Sequence, residues 1–191
     1  EGVVSIGTGA FYGCSSLTNI TIPEGVTSIG VYAFTGCSSL KSITIPEGVT
    51  SIGDGAFTGC SRLKRVNISN LSAWCKISFD YYYHGCSNPL CNGANLYVND
   101  ELVTDIVIPS DITSVNPYLF HGCTSIRSVV IPEGVVSIGT GAFYGCSSLT
   151  SITIPEGVTS IGNYAFYGCL GLTSITIPEG ITSIGGGVFE Y

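Results

Sequence analysis

The chain has 191 residues, no Met, a formal net charge of −7 and only 10% charged residues. Too few Lys and Arg are present for phosphate neutralisation, so nucleic acid is not expected as a partner. No run of 18 apolar residues occurs, which excludes a membrane-spanning helix, and no signal peptide, sorting motif or polybasic tail is visible.

Read from its start, the chain repeats itself. Phe11, Phe34 and Phe57 recur every 23 residues, and so do Phe120, Phe143, Phe166 and Phe189. Cys14, Cys37, Cys60, Cys123, Cys146 and Cys169 keep the same step, as do Pro23, Pro46, Pro109, Pro132, Pro155 and Pro178. Residues 1–18 return letter for letter at 133–150. The unit reads LxxIxIPEGVTSIGxxAFxGCSS. In its first part, "LTSITIP", Ile152 and Ile154 alternate with Ser151 and Thr153, which predicts a short strand with the isoleucines inward. Pro155 ends it and Glu156-Gly157 turns the chain. "VTSIG" predicts a second short strand closed by Gly162. "xxAFxGC" is too short for a stable α-helix and predicts one helical or 3₁₀ turn.

One unit cannot fold alone. Its six large apolar side chains gain roughly 1.5–3 kcal/mol each on burial, against on the order of 1.5 kcal/mol per residue for ordering. Stacked units share a core, and equivalent positions recur at about 4.8 Å per coil. The expected ladder cysteines are reduced, buried thiols pointing in parallel, since Cys buries readily and disulfide geometry is demanding. Most of the 26 glycines sit at turn positions where positive φ is the expected need.

The stretch 70–103, "NLSAWCKISFDYYYHGCSNPLCNGANLYVNDELV", departs from the pattern without leaving it. "LKRVNIS" (63–69) matches "LKSITIP" (40–46). "YYHGC" (82–86) places Tyr83 at the Phe position and Cys86 at the Cys position, which stretches that coil by three residues. "VTDIVIP" (103–109) fits the next strand, leaving a 14-residue insertion in which "NLYVNDELV" predicts a β-hairpin turning at Asn99-Asp100. The expectation is one array over 1–191 of about eight coils, with variant coils and insertions at 61–103. The chain begins and ends mid-repeat, as a piece of a longer array would. Eight coils predict a solenoid of roughly 35–40 Å.

The unit "LTSITIPEGVTSIGNYAFYGC" (149–169) and its copies resemble the BspA-like leucine-rich repeats, a 23-residue class. The resemblance covers nearly the whole chain and implies a mainly β, right-handed leucine-rich-repeat solenoid with short parallel strands and short helical or 3₁₀ turns. It also implies a secreted or cell-surface protein of adhesive character with no enzymatic activity. Within that family, segments like "LSAWCKI" and "NLYVNDELVTDIVIP" occur as variant repeats.

No catalytic set assembles. His84 and His121 both follow the aromatic position, which Tyr12, Thr35, Thr58, Tyr144 and Tyr167 fill elsewhere, so a surface position is expected. A metal site at His84, Cys86 and Cys91 lacks the paired-cysteine spacing of zinc sites, and no cofactor is expected. In an oxidising compartment Cys86–Cys91, or Cys75 with either, is open as a disulfide. Glu24, Glu47, Glu133, Glu156 and Glu179 read as a solvated edge that discourages lateral pairing. Five of the six basic residues, Lys41, Arg62, Lys64, Arg65 and Lys76, lie within 41–76. Beside them stand Phe79, Tyr81, Tyr82 and His84, and Tyr and Arg are frequent interface anchors.

The candidate protein-binding residues are therefore Thr21, Lys41, Thr44, Lys64, Arg65 and Asn67 on the strand face, with Phe79, Tyr81, Tyr82 and His84 next to them. The expected partners are extracellular or host proteins, with end-to-end self-association through uncapped termini as a further route. A structural spacer in a larger surface protein is the alternative. Ice or glycan recognition by Thr rows is disfavoured because Asn67, Val107 and Val130 interrupt the row of Thr21, Thr44, Thr153 and Thr176.

Overall fold

The computed structural model of the chain describes residues 2–80 and 86–190 and divides into two compact units, Glu1–Glu101 and Leu102–Tyr191. Unit 1 contains β1 (Ser5–Ile6), β2 (Ser28–Ile29), β3 (Ser42–Thr44), β4 (Ser51–Ile52), β5 (Arg65–Ile68), the helix α1 (Leu71–Cys75), β6 (Ser78–Phe79), β7 (Asn95–Val98) and, at its border, β8 (Glu101–Leu102). Its strands form two sheets, ordered β1-β2-β4-β6 and β3-β5-β7-β8. Unit 2 contains β9 (Asp105–Val107), β10 (Ser114–Val115), β11 (Ser128–Val130), β12 (Ser137–Ile138), β13 (Ser151–Thr153), β14 (Ser160–Ile161) and β15 (Ser183–Ile184). Its sheets run β13-β11-β9 and β10-β12-β14-β15. Both units are mainly β solenoids in which equivalent residues stack in parallel, as in Ser42↔Arg65 and Ile43↔Val66 or Ser137↔Ser160 and Ile138↔Ile161.

The alternation expected of "ITIP" holds. Ile43 and Ile45 are buried, while Ser42 is half-buried and Thr44 exposed. The "AFxGC" segment differs from the expected helical turn. Ala10, Tyr12 and Cys14 donate to carbonyls three residues back, but Gly9, Phe11 and Gly13 donate to Val31, Ala33 and Thr35 of the next coil. A continuous helix would turn every donor inward. Here alternate donors are spent on the neighbouring coil, so the segment is a succession of turns stitched into the stack.

That stitching dictates the core. The phenylalanines of unit 1 stack with centroids 5.1 Å (Phe11–Phe34) and 5.3 Å (Phe34–Phe57) apart, close to the coil step. Near-parallel rings at this separation match the offset stacking that ring pairs favour, and the backbone spacing repeats it from coil to coil. The ladder thiols are unbridged, as expected, and all but the exposed Cys14 are buried. Each of four buried thiols also donates to a phenylalanine carbonyl of the preceding coil: Cys37 to Phe11, Cys60 to Phe34, Cys146 to Phe120 and Cys169 to Phe143, all at 3.2 Å. Burial pushes Cys60 and Cys169 up to about 12, which leaves them protonated donors at any physiological pH.

The glycine that closes "SIG" corrects an expectation. Gly30, Gly53, Gly139, Gly162 and Gly185 are not among the positive-φ glycines. Their need is proximity: a Cβ on Gly53 would stand 2.5 Å from the Val31 nitrogen and 2.8 Å from the Gly30 carbonyl carbon. Gly53 donates to Ile29 at this approach, so backbone meets backbone with no room for a side chain.

The departure at 70–103 is registered differently from the expectation. β7 pairs directly with β5, with Val66↔Leu96 and Ile68↔Val98. "NLYV" is thus a regular ladder strand and not part of an insertion. The Phe57 N–H donates to the Cys86 carbonyl, as Phe34 does to Ala56. Cys86 therefore occupies the alanine position and Ser87 the aromatic one, with Leu90 in the place of the ladder cysteine. Shared letters in "YYHGC" favoured the other register, but ladder bonds decide it. Tyr83, expected at the aromatic position, lies outside the described residues. The hairpin itself stands where expected. Asn99 and Asp100 both have positive φ, 50° and 67°, the requirement of a type I′ turn.

A glycine test checks the close approach. Gly53→Ala should lose about 2–3 kcal/mol, because overpacking here meets backbone and not a movable side chain. Gly134→Ala, whose Cβ would meet nothing within 4 Å, should stay within about 0.5 kcal/mol. Chemical denaturation of the two variants measures the difference.

Candidate functional site

The outward face of the β3-β5-β7 sheet carries Thr44, Arg65 and Asn67 of the expected binding residues, with Lys41 and Lys64 just before β3 and β5. Thr44, Asn67 and Tyr97 stand in one row, and Ser42, Arg65 and Asn95 in the next. Lys64 N–H donates to the Lys41 carbonyl and Asn95 N–H to that of Lys64, so the two lysines are stacked neighbours as expected. Thr21, Lys41, Thr44 and Lys64 are exposed, while Asn67 is half-buried. The inward positions of the same strands hold only aliphatics, Ile43, Val66 and Leu96, all buried. The scaffold repeats while the presented residue changes from coil to coil.

Arg65 is committed within this face. Its guanidinium bonds Asp100 Oδ1 at 2.7 Å, its Nε donates to Asn67 Oδ1 at 2.7 Å, and its Cζ sits 3.8 Å from the Tyr97 ring centroid. An exposed ion pair alone contributes little. Here the same cation also stacks on an aromatic ring; the contacts to Asp100 and Tyr97 tie the hairpin to β5, and the bond to Asn67 within β5 fixes the guanidinium. Lys64 Nζ reaches the Asn92 carbonyl at 3.3 Å, a second tie from the ladder to the variant segment. The sequence reading missed Tyr97 and Asp100; with "NLYV" placed as a ladder strand, Tyr97 falls beside Asn67.

Phe79 does not belong to the exposed patch. It pairs with Ile52 in register, is buried and packs 5.5 Å from Trp74. The aromatic side chain faces inward because it takes the isoleucine position of the "SIG" strand. Tyr81, Tyr82 and His84 lie outside the described residues. Trp74 comes from α1, which is capped by Asn70, whose side chain accepts from Ala73 N–H at 3.1 Å. Asn before "LSAW" is an N-cap signal that the sequence reading did not use.

Of the disulfides left open, Cys86–Cys91 is formed, with Cα atoms 5.8 Å apart, and Cys75 is a buried thiol outside any disulfide. This bond consumes two of the three groups weighed as metal ligands. Because Leu90 stands in the cysteine position, no ladder thiol serves the Phe57 carbonyl. Asn92 Nδ2 donates to it at 3.2 Å instead. Among the described residues no three His, Cys, Asp or Glu side chains converge as metal ligands. The glutamates Glu24, Glu47, Glu133, Glu156 and Glu179 are all exposed, as a solvated edge requires.

In unit 2 the position after the ladder phenylalanine is not the surface position expected. His121, Tyr144 and Tyr167 are half-buried and form a row, with centroids 4.8 Å (His121–Tyr144) and 4.7 Å (Tyr144–Tyr167) apart. Burial lowers the His121 pKa to about 4. A stack at coil spacing encloses any planar side chain that joins it, so tolerance of Tyr, Thr and His there does not imply exposure. Beside this row, Tyr118 and Tyr164 occupy left-handed backbone positions (φ 59° and 57°), where Gly141 and Gly187 stand in alternate coils. A Cβ on Gly141 would meet Cε1 of Tyr118 at 2.6 Å, and one on Gly187 would meet Cε1 and Cδ1 of Tyr164. In unit 1, Tyr32 lies against Gly55 in the same way.

A family model described as BspA type Leucine rich repeat region matches residues 1–88 and 93–191, in six copies. No curated relative matches the chain. Among solved structures, the leucine-rich repeat protein of T. pallidum is 29% identical over 90% of this chain and 72% of its own, with a TM-score of 0.58. A leucine-rich cell surface protein of Faecalibacterium prausnitzii is 26% identical over 98% of this chain and 68% of its own, with a TM-score of 0.52. The pneumococcal vaccine antigen PcpA shares the fold at 20% identity, covering 96% of this chain and 56% of its own, with a TM-score of 0.53.

Two outcomes test this geometry. Arg65→Ala should free the hairpin, so that the amides of Asn99 and Asp100 exchange faster with solvent while those of β3 do not, as read by hydrogen exchange. For His121 the native pKa lies below the unfolded value, so the unfolded chain takes up a proton that the native chain refuses. Stability should therefore fall as pH drops from about 6.5 towards 4, by an amount on the order of 2 kcal/mol after allowance for partial exposure of the ring. His121→Tyr, which matches Tyr144 and Tyr167, should remove that slope from denaturation curves taken across the range.

Proposed function

The chain belongs to the BspA-type leucine-rich-repeat family, and we propose that it works as a non-enzymatic interaction module that captures extracellular proteins at a cell surface. The observation that carries this reading is the outward row Thr44, Asn67, Tyr97 over the constant inward row Ile43, Val66, Leu96. A spacer needs only the inward row. A recognition surface needs different residues held in fixed register, and the ladder supplies that rigidity at little entropic cost on binding. Arg65 deepens the reading by fixing the hairpin beside the row. A surface location is supported by the F. prausnitzii relative, described as a cell surface protein.

Lys41 and Lys64, both exposed, supply the charge for an acidic partner. Rim charges of this kind act chiefly on association rate and its salt dependence. Lys41→Glu with Lys64→Glu should therefore slow capture of acidic extracellular glycoproteins from an immobilised panel by about tenfold, with the melting temperature nearly unchanged. Surface plasmon resonance at low and physiological salt reads both quantities. If the wild-type chain captures no member of the panel, or the charge-reversed chain captures equally well, the strand face is not the contact surface and the spacer role takes its place.

A further inference from the structure

The turn that leads into β7 carries a reactive pair found nowhere else in the chain. Asn92-Gly93 is the only Asn-Gly sequence. In such a pair the glycine nitrogen attacks the asparagine side chain readily, because no Cβ on the following residue hinders the approach. The step forms a bond from the Gly93 nitrogen to Asn92 Cγ and breaks the bond from Cγ to Nδ2. The Gly93 amide proton leaves with that nitrogen as ammonia. Water then opens the resulting succinimide at either carbonyl, which leaves aspartate or isoaspartate. The turn itself calls for the glycine, since Gly93 has a φ of 73°.

The native geometry holds each participant away from this reaction. Asn92 Nδ2 donates to the Phe57 carbonyl at 3.2 Å, which fixes the carboxamide on the preceding coil. The attacking nitrogen is engaged as well, since Gly93 N–H donates to the Leu90 carbonyl at 3.0 Å. Between them, the Asn92 carbonyl accepts from Lys64 Nζ at 3.3 Å. All three bonds must open before Gly93 reaches Cγ.

The neighbouring disulfide secures them. Cys91 adjoins Asn92, and its sulfur is joined to Cys86, a residue held twice by the preceding coil. Phe57 N–H donates to the Cys86 carbonyl, and Cys86 N–H donates to Thr58 Oγ1 at 3.0 Å. Both bridged cysteines are half-buried, so a small dithiol has access. Exchange oxidises the dithiol to a disulfide and leaves Cys86 and Cys91 as thiols. We propose that Asn92 is a self-modification site, held dormant by the Cys86–Cys91 disulfide and released to deamidate when that bond is reduced. The product cannot resume the native arrangement, because a carboxylate has no N–H for the Phe57 carbonyl and sets acceptor oxygens against it. Reduction is reversible, and deamidation makes its effect on this coil permanent. The site does not depend on what the strand face binds.

The test incubates the whole chain in mildly alkaline buffer, oxidised or reduced with dithiothreitol, beside Asn92→Gln treated alike. Peptide mapping by mass spectrometry reads deamidation at residue 92 and separates aspartate from isoaspartate. A reaction that needs local opening follows the population of the opened state, so Asn92 should deamidate about tenfold faster in the reduced chain than in the oxidised one. Amide exchange in β9 and β11 checks that reduction leaves the ladder folded. After reoxidation the wild-type chain should keep faster exchange at the Phe57 and Cys86 amides, while Asn92→Gln returns to its own starting rates. One comparison needs no reduced chain: native and oxidised, Asn92 should react at least about tenfold more slowly than in the oxidised chain unfolded in guanidinium chloride. Equal rates in oxidised and reduced chains, equal rates in native and unfolded chains, or an Asn92 that stays intact under reduction would overturn the proposal.

Discussion

Everything in each unit depends on one distance, the spacing at which backbone hydrogen bonds join consecutive coils. The strands obey it, as in the parallel register of Ser28 with Ser51, and so do the turns, where Phe11 donates to Ala33 and Gly13 to Thr35. A coil has no freedom to bulge at either place. The phenylalanines must then stack in parallel, the thiols must find a carbonyl of the coil before, and Gly30 and Gly53 must have no side chain. The repetition of the sequence is the chemical record of that spacing, because each coil meets the same neighbour.

Much of the fold was legible for that reason. The 23-residue step, the inward isoleucines, the short second strand and the unbridged ladder thiols all follow from periodicity and composition. The turn segment was less legible, since a local pattern cannot say that half its donors leave for the next coil. Glycine was half-read: positive φ is visible in sequence as a tendency, whereas the approach of Gly53 to Val31 exists only once coils are stacked.

The variant segment shows where letters mislead. Cys86 sits in a motif that matches its neighbours, yet the bond from Phe57 places it one turn earlier than the match suggests, and its sulfur joins Cys91. Leu90 and Asn92 then divide the work of one ladder cysteine, the first by filling its space and the second by supplying its hydrogen bond. Of the candidate contact residues, Thr21, Lys41, Thr44, Lys64 and Asn67 were placed correctly on the outward side. Phe79 was misplaced because its isoleucine counterpart, Ile52, was not considered. Arg65 was identified without its partners, since Tyr97 and Asp100 lie thirty or more residues away along the chain.

The alternation of tyrosine and glycine carries a consequence for how such an array changes length. Tyr32 lies against Gly55, Tyr118 against Gly141 and Tyr164 against Gly187. Duplication or loss of one 23-residue unit within such a run would set tyrosine beside tyrosine, or glycine beside glycine. The first crowds two rings into space shaped for one, and the second opens a gap in the surface. Unequal recombination between near-identical gene segments adds or removes whole units at will, but only exchanges of two units at a time keep the surface closed. The surface of this array therefore repeats in pairs of coils.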